Sequence, residues 1–140
     1  MPLPRRVVIP LQQHTGAPCA PTVAVGDAVH EGQLIGDSTS AISAPVHASI
    51  GGKVVAIEPR PHPALPKPVT AVVIERGDQP EAQQTAPGTD WQGLDTAALL
   101  AKIRSAGIVG LGGAAFPTHV KLSPPKGKSI DTLVINGVEC

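Results

Sequence analysis

The sequence is almost without aromatic residues: Trp91 and Phe116 stand alone, and tyrosine is absent. Any core must therefore rest on Val, Ile, Leu and Ala, and small branched residues suit closely spaced strands. Cysteine is scarce too. Cys19 and Cys140 are too few and too isolated for a disulfide framework or a zinc site, so a reducing compartment is the expectation. An excess of either charge is also missing. Eleven basic and eleven acidic residues cancel, which excludes an electrostatic footprint for nucleic acid or for an anionic membrane surface. No apolar run reaches the roughly eighteen residues of a membrane span. The opening M-P-L-P-R-R-V-V-I-P-L-Q-Q lacks the apolar core and small-residue cleavage site of a signal peptide. The sequence thus predicts a soluble chain with no transmembrane span of its own.

What is abundant is punctuation. Fifteen glycines and sixteen prolines fall between short apolar runs rather than in tracts, so they read as turns. Strands are expected at residues 7–9, 22–25, 33–35, 53–57 and 69–74. Between them stand the G-D pairs at Gly26 and Gly36, E-G at Glu31, G-G at Gly51 and the proline-rich 59–68. Such spacing predicts a small all-β sandwich or barrel over residues 1–76. Residues 77–93 have almost nothing apolar except Trp91 and carry Gln, Thr, Pro and Gly, the composition of a linker.

From Asp95 the pattern changes. Asp95 can cap a helix whose Leu99, Ile103 and Ala106 share one face with Leu100 beside them, and Gly107 can end it. The stretch G-I-V-G-L-G-G-A-A-F-P-T-H-V-K-L follows, residues 107–122, with Pro117 placed to start a second short helix. A last apolar run, residues 132–136, has the character of a buried strand. Helix, glycine loop, helix and strand form the opening of an α/β unit over residues 94–140. The whole chain is thus expected to be α+β.

Among chemical constellations most fail early. The histidines His14, His30, His47, His62 and His119 show no ligand spacing, and read as turn or surface residues. No G-x-S-x-G elbow supports hydrolase chemistry, and Cys19 in A-P-C-A-P reads as a small packing residue. The glycine loop is different. Glycines at 107, 110, 112 and 113 leave backbone amides uncovered, and Lys121, one turn into the following helix, can reach back toward a bound phosphate. Spacing alone leaves the loop between a cofactor cradle and an ordinary bend, because it does not follow a strand as the dinucleotide fingerprint requires.

Two resemblances sharpen this. The segments G-D-A-V-H-E-G-Q-L-I-G-D, residues 26–37, and S-A-P-V-H-A-S-I-G-G-K-V-V-A-I, residues 43–57, resemble the two halves of biotinyl and lipoyl carrier domains, which fold as a barrel-sandwich hybrid. A carrier attaches its cofactor to a lysine at the hairpin between those halves. No lysine occurs between Gln33 and Gly52, so the fold is expected without the swinging arm, leaving a non-catalytic scaffold or interaction module as the alternative function.

The glycine loop, followed by I-N-G-V-E-C, is similar to the flavin- and NADH-binding region of the complex I flavoprotein subunit, whose pattern is G-R-G-G-A-G-F-P-T-G-x-K and then N-A-D-E. Nearly the whole chain is identified as similar to the C subunit of the Rnf (Rsx) ion-translocating ferredoxin:NAD oxidoreductase, through R-V-V-I-P-L-Q-Q-H-T-G-A-P, the 43–63 segment and the loop with S-P-P-K-G-K, in that order. The resemblance implies FMN and NAD(H) as cofactors, with hydride transfer between them. Gly110, Gly112 and Gly113 would line the FMN ring and phosphate, and Phe116 would stack near the nicotinamide-side pocket. Lys121 would meet phosphate or a ring oxygen, and Asn136 and Glu139 would contact flavin or dinucleotide. Departures from the complex I pattern are Leu111 for Arg, Ala115 for Gly, His119 for Gly and Val138 for Asp. In the family the polypeptide runs on into a ferredoxin-like domain with two [4Fe-4S] clusters, whose ligands this chain lacks. The chain therefore reads as an N-terminal fragment of a larger polypeptide, held by partner subunits at the cytoplasmic face of a bacterial inner membrane.

Overall fold

The computed structural model describes residues 4–77, 90–111, 114–125 and 127–134. Two antiparallel sheets face each other. In the first, β1 (Arg6–Pro10), β7 (Leu65–Arg76), β6 (Gly52–His62) and β3 (Ala28–Val29) lie in that order; in the second, β2 (Ala20–Pro21), β4 (Leu34–Asp37) and β5 (Val46–His47). Between them Ile9, Leu11, Val29, Ile35, Val46, Val54, Val72 and Ile74 form a contiguous core that also includes Cys19, Ala48 and Ile50. The near absence of aromatics is met as expected, by branched aliphatic residues that allow the sheets to approach closely.

The paired turn motifs explain themselves in the hydrogen bonding. Gly26 N–H donates to Val54 O and Val54 N–H to Asp27 O, each at 2.8 Å; Gly32 N–H donates to Ala48 O and Ala48 N–H to Gln33 O, again at 2.8 Å. The first half of the motif is thus laced to the second by its own turn residues. This is the barrel-sandwich hybrid expected from the sequence, and no lysine stands in the connection 38–42 between the halves.

Three local expectations change. Residues 22–25 do not form a strand: Thr22 N–H still donates to Ile35 O at 3.0 Å, but the Asp27 carboxylate then takes Ala24 N–H at 2.8 Å. Side chains that bond the backbone locally compete with a ladder. The proline-rich 59–68 is no loop but the outer part of a long β6–β7 hairpin, paired through His62 and Leu65. Its prolines sit at alternating positions. Pro59 lies opposite Thr70, whose carbonyl is taken from the other side by Leu11 N–H at 2.8 Å. The missing proline N–H therefore points away from the ladder and costs it nothing. Finally, of the expected strand 132–136, residues 132–134 lie outside any strand, with Leu133 and Val134 exposed, and residues 135–136 lie outside the described residues. A buried-type strand needs neighbours, and no described residue pairs with them.

Beyond the barrel, Asp90–Gly93 form a single 3-10 turn at the end of the expected linker. Helix α1 (Thr96–Ser105) starts as read: the Asp95 carboxylate accepts Ala98 N–H at 2.8 Å. Leu99, Leu100 and Ile103 are half-buried, whereas Ala106, as the C-cap, has already left the face and is exposed. Gly107 follows with φ +68°. Helix α2 (Thr118–Lys121) is one turn long and packs on α1.

Candidate functional site

The loop between α1 and α2 is closed at its base like a small hairpin. Val109 and Pro117 form an antiparallel bridge, Thr118 N–H donates to Ile108 O, and Gly110 N–H donates to Phe116 O, the last two at 3.0 Å. Pro117 is fully buried beneath it and Phe116 half-buried beside it. Leu111, at the tip, is 91% exposed, so the residue replacing the arginine of the complex I pattern faces solvent.

Of the seven residues expected to hold cofactor, Gly110, Phe116 and Lys121 are brought together here. Gly112, Gly113, Asn136 and Glu139 lie outside the described residues. A Cβ built on Gly110 would stand 3.1 Å from Lys121 Nζ, so the ammonium lies directly over the glycine. The glycine is required for that closeness. Two details expected from the sequence shift. The amide of Gly110 is already used by Phe116 and is not open to a ligand, and the four-residue α2 is too short to bring much of a helix dipole to bear. The charge at the loop belongs to Lys121 instead.

Three contacts that the sequence did not announce fix this loop to the barrel. Gly107 passes against β5, where an added Cβ would lie 2.5 Å from Pro45 O and 3.3 Å from His47 Nδ1. Arg104 reaches from α1 to the end of β4, its Nη2 at 2.9 Å from Asp37 Oδ1 and 2.6 Å from Ser38 O. Thr15 holds the far side of the loop: its N–H donates to Ala115 O at 3.2 Å and its hydroxyl donates to Ala114 O. These partners are 99 and 67 positions apart for Thr15–Ala114 and Arg104–Asp37, and no local pattern links them. An arginine on the half-buried face of α1 was the one available sign.

Behind Thr15 the barrel is tied by buried side-chain hydrogen bonds. His14, read as a turn or surface histidine, is buried at 6% exposure, its Nε2 2.9 Å from Ser43 Oγ and 3.1 Å from Ala17 O. Ser43 Oγ donates to Ala17 O at 3.0 Å. The serine proton is thereby spent, so the ring must donate through Nε2–H. Fully buried and pointed at a carbonyl, Ser43 is no nucleophile. Cys19 Sγ–H donates to Ala44 O at 3.2 Å, and burial pushes its thiol pKa up. The packing role read for Cys19 holds.

The residues present fit an anionic, flavin-type ligand on two counts. Among the described residues no acceptor takes the amides of Leu111, Ala115 or Phe116, while a lysine stands over Gly110. His119 Nδ1, two residues before Lys121, is buried with no partner among the described residues. Such an atom costs about 1–3 kcal/mol unless something meets it. Elsewhere, no described group of His, Cys, Asp or Glu could hold a metal ion, and no described helix is long and apolar enough to cross a membrane.

Comparison with known proteins bears on the chain as a whole. Residues 103–140 match the Nuo51 FMN-binding domain model. Over 140 residues the chain is 47% identical to the C subunit of the proton-translocating ferredoxin:NAD(+) oxidoreductase complex of Clostridium ljungdahlii, covering 99% of this chain and 30% of that protein. It is 44% identical over 137 residues to the Na(+)-translocating counterpart of Acetobacterium woodii, covering 98% and 31%. It is also 45% identical over 140 residues to the C subunit of the ion-translocating oxidoreductase complex of Pseudomonas aeruginosa, covering 99% and 18%. The chain thus spans less than a third of the length of these relatives. Residues 1–79 match the RnfC barrel sandwich hybrid domain model, and with more than half its length inside that model the chain belongs to the RnfC family.

Proposed function

We propose that the chain is the N-terminal part of the peripheral subunit through which an ion-translocating ferredoxin:NAD oxidoreductase exchanges electrons with NAD(H). In this reading residues 1–76 are a barrel that carries no cofactor, residues 77–93 a linker, and residues 94–140 the start of an FMN- and NADH-binding domain. The [4Fe-4S] clusters belong to the remainder of the subunit. Other subunits of the complex hold it at the cytoplasmic face of the membrane. The supporting observation is the position of Lys121 over Gly110, in a loop whose Leu111, Ala115 and Phe116 amides have no acceptor among the described residues.

When bound, FMN supplies hydride-accepting chemistry that a protein side chain cannot. The chain's own residues bind and orient. Lys121 neutralises a phosphate or ring oxygen, Gly110 keeps the approach open, Phe116 offers an apolar edge, and Gly112, Gly113, Asn136 and Glu139 complete the contacts. The relatives matched over this segment are named for different coupling ions, the proton and Na(+).

Calorimetric titration of FMN into the full-length subunit tests the reading. Lys121→Met and Gly110→Val should each weaken FMN binding by about tenfold or more, the scale of one charge-assisted contact. Wild-type affinity in both variants would refute this site, and absence of flavin binding by the full-length subunit would refute the function.

A further inference from the structure

Thr15 belongs to the barrel, yet both of its hydrogen bonds go to the glycine loop. Its amide donates to Ala115 O and its hydroxyl to Ala114 O. The consequence follows from peptide geometry. The described chain contains no cis peptide, and in a trans unit the N–H points opposite to the C=O. Holding the carbonyl of Ala114 turns the Ala115 N–H away from the barrel; holding the carbonyl of Ala115 does the same for the Phe116 N–H. Ala115 meanwhile adopts φ +50°, alone among the described non-glycine residues in having positive φ. A residue in this left-handed conformation is uncommon and persists where surrounding contacts determine it. Consecutive amides directed to one side in this way make a concave nest for an anion or an electron-rich oxygen.

The segment that carries Thr15 is hydrogen-bonded on either side of it. His14 is locked in the barrel by Ser43 and Ala17, and Ala17 N–H donates to Ile42 O at 3.0 Å. The segment that carries Thr15 is therefore anchored on both sides. The same segment forms one wall of a cleft of about 920 Å³ that Ala114 and Ala115 border from the other side. The barrel and the loop thus meet along this line.

We propose that Thr15 is a positioning residue for the flavin site: it acts through Ala114 and Ala115 to aim the Ala115 and Phe116 amides at the anionic or electron-rich oxygens of the cofactor. This rests on the reading of the loop as an FMN site and assigns the barrel a part in building it. The barrel is then a jig for the loop as well as a scaffold.

The test uses the full-length subunit with Thr15→Val, which keeps the shape and removes the hydroxyl, and Thr15→Ser, which restores it. Thr22→Val is the matched control, since Thr22 also donates its hydroxyl to a backbone carbonyl of the barrel, that of Leu34, but does not touch the loop. Two readouts are taken: amide hydrogen exchange of the peptide covering residues 108–117 without cofactor, and FMN affinity by titration. Thr15→Val should speed exchange in that peptide and weaken FMN binding by about threefold to tenfold, the worth of one partly exposed hydrogen bond. Thr15→Ser and Thr22→Val should match the wild type in both. Wild-type exchange and affinity in Thr15→Val would overturn the proposal, as would failure of Thr15→Ser to rescue or an equal effect of Thr22→Val. Loop exchange decides the matter even if the protein binds no FMN, so failure of the flavin reading and failure of this inference are separable.

Discussion

Two glycines three residues apart should respond to alanine in opposite ways. Gly107 has φ +68°, and a Cβ there would fall 2.5 Å from the carbonyl oxygen of Pro45, a backbone atom beside β5 that cannot swing aside. The left-handed backbone costs an alanine about 1–2 kcal/mol. Overpacking against a fixed neighbour adds roughly 1–3 kcal/mol, so Gly107→Ala should lose about 2–5 kcal/mol or force the end of α1 off the barrel. Gly110 meets its would-be Cβ differently. Its nearest neighbour is Lys121 Nζ at 3.1 Å, the free end of a flexible side chain, with Phe116 O next at 3.8 Å. Gly110→Ala should therefore change stability by less than about 1 kcal/mol, since lysine moves and alanine lowers the entropy of the unfolded chain. Its penalty should appear in ligand binding, because the ammonium is displaced. Thermal unfolding with hydrogen exchange of residues 96–107 distinguishes the two. If Gly107→Ala proved as stable as Gly110→Ala, the docking of the loop on β5 would be wrong.

Other outcomes follow from single contacts. A double-mutant cycle with Arg104→Gln and Asp37→Asn should give a coupling of about 0.5–1 kcal/mol, the modest value expected of a pair about one-third exposed and screened by salt; zero coupling would mean that α1 is not latched there. Glu58→Pro should cost about 1–3 kcal/mol by removing a donor opposite Ala71 on the bonded side of the ladder, whereas Pro59→Ala should cost no more than about 1 kcal/mol. Equal effects in a denaturation series would contradict the assigned register. The Cys19 thiol has its pKa raised by burial above the ordinary 9.0. Its stabilising contribution is therefore present below pH 9.0 and is lost as pH rises through the folded value. The stability gap between wild type and Cys19→Ala should stay constant to about pH 9 and narrow above it; a gap that stays constant well above pH 9 would argue for an exposed thiol.

The barrel was legible because its motifs act locally in pairs. Gly26 with Asp27 and Gly32 with Gln33 are turn residues, and the atoms they bind belong to the complementary half, so reading the two halves together recovers the fold. The Asp95 cap was legible for the same reason, since donor and acceptor are three residues apart. The proline-rich hairpin was not. Proline ordinarily argues against a strand, and the exception depends on which edge each missing N–H faces, a property of register that a single strand does not carry. The site was half legible. Glycine spacing and Lys121 marked the loop, but its attachments come from Thr15, Pro45, Asp37 and Ser38, distant in sequence and ordinary in kind. The burial of His14 was not legible, because its hydrogen-bond partner Ser43 lies 29 positions away.

If the loop held by the barrel receives FMN beneath Lys121, the most direct measurement is an experimental structure of the full-length subunit with FMN bound. Lys121 Nζ should then lie within about 4 Å of a phosphate or ring oxygen of the flavin, at ion-pair or hydrogen-bond range, with the Ala115 and Phe116 amides facing the cofactor. A flavin seated elsewhere, with Lys121 beyond roughly 10 Å and so outside effective electrostatic reach, would contradict this site.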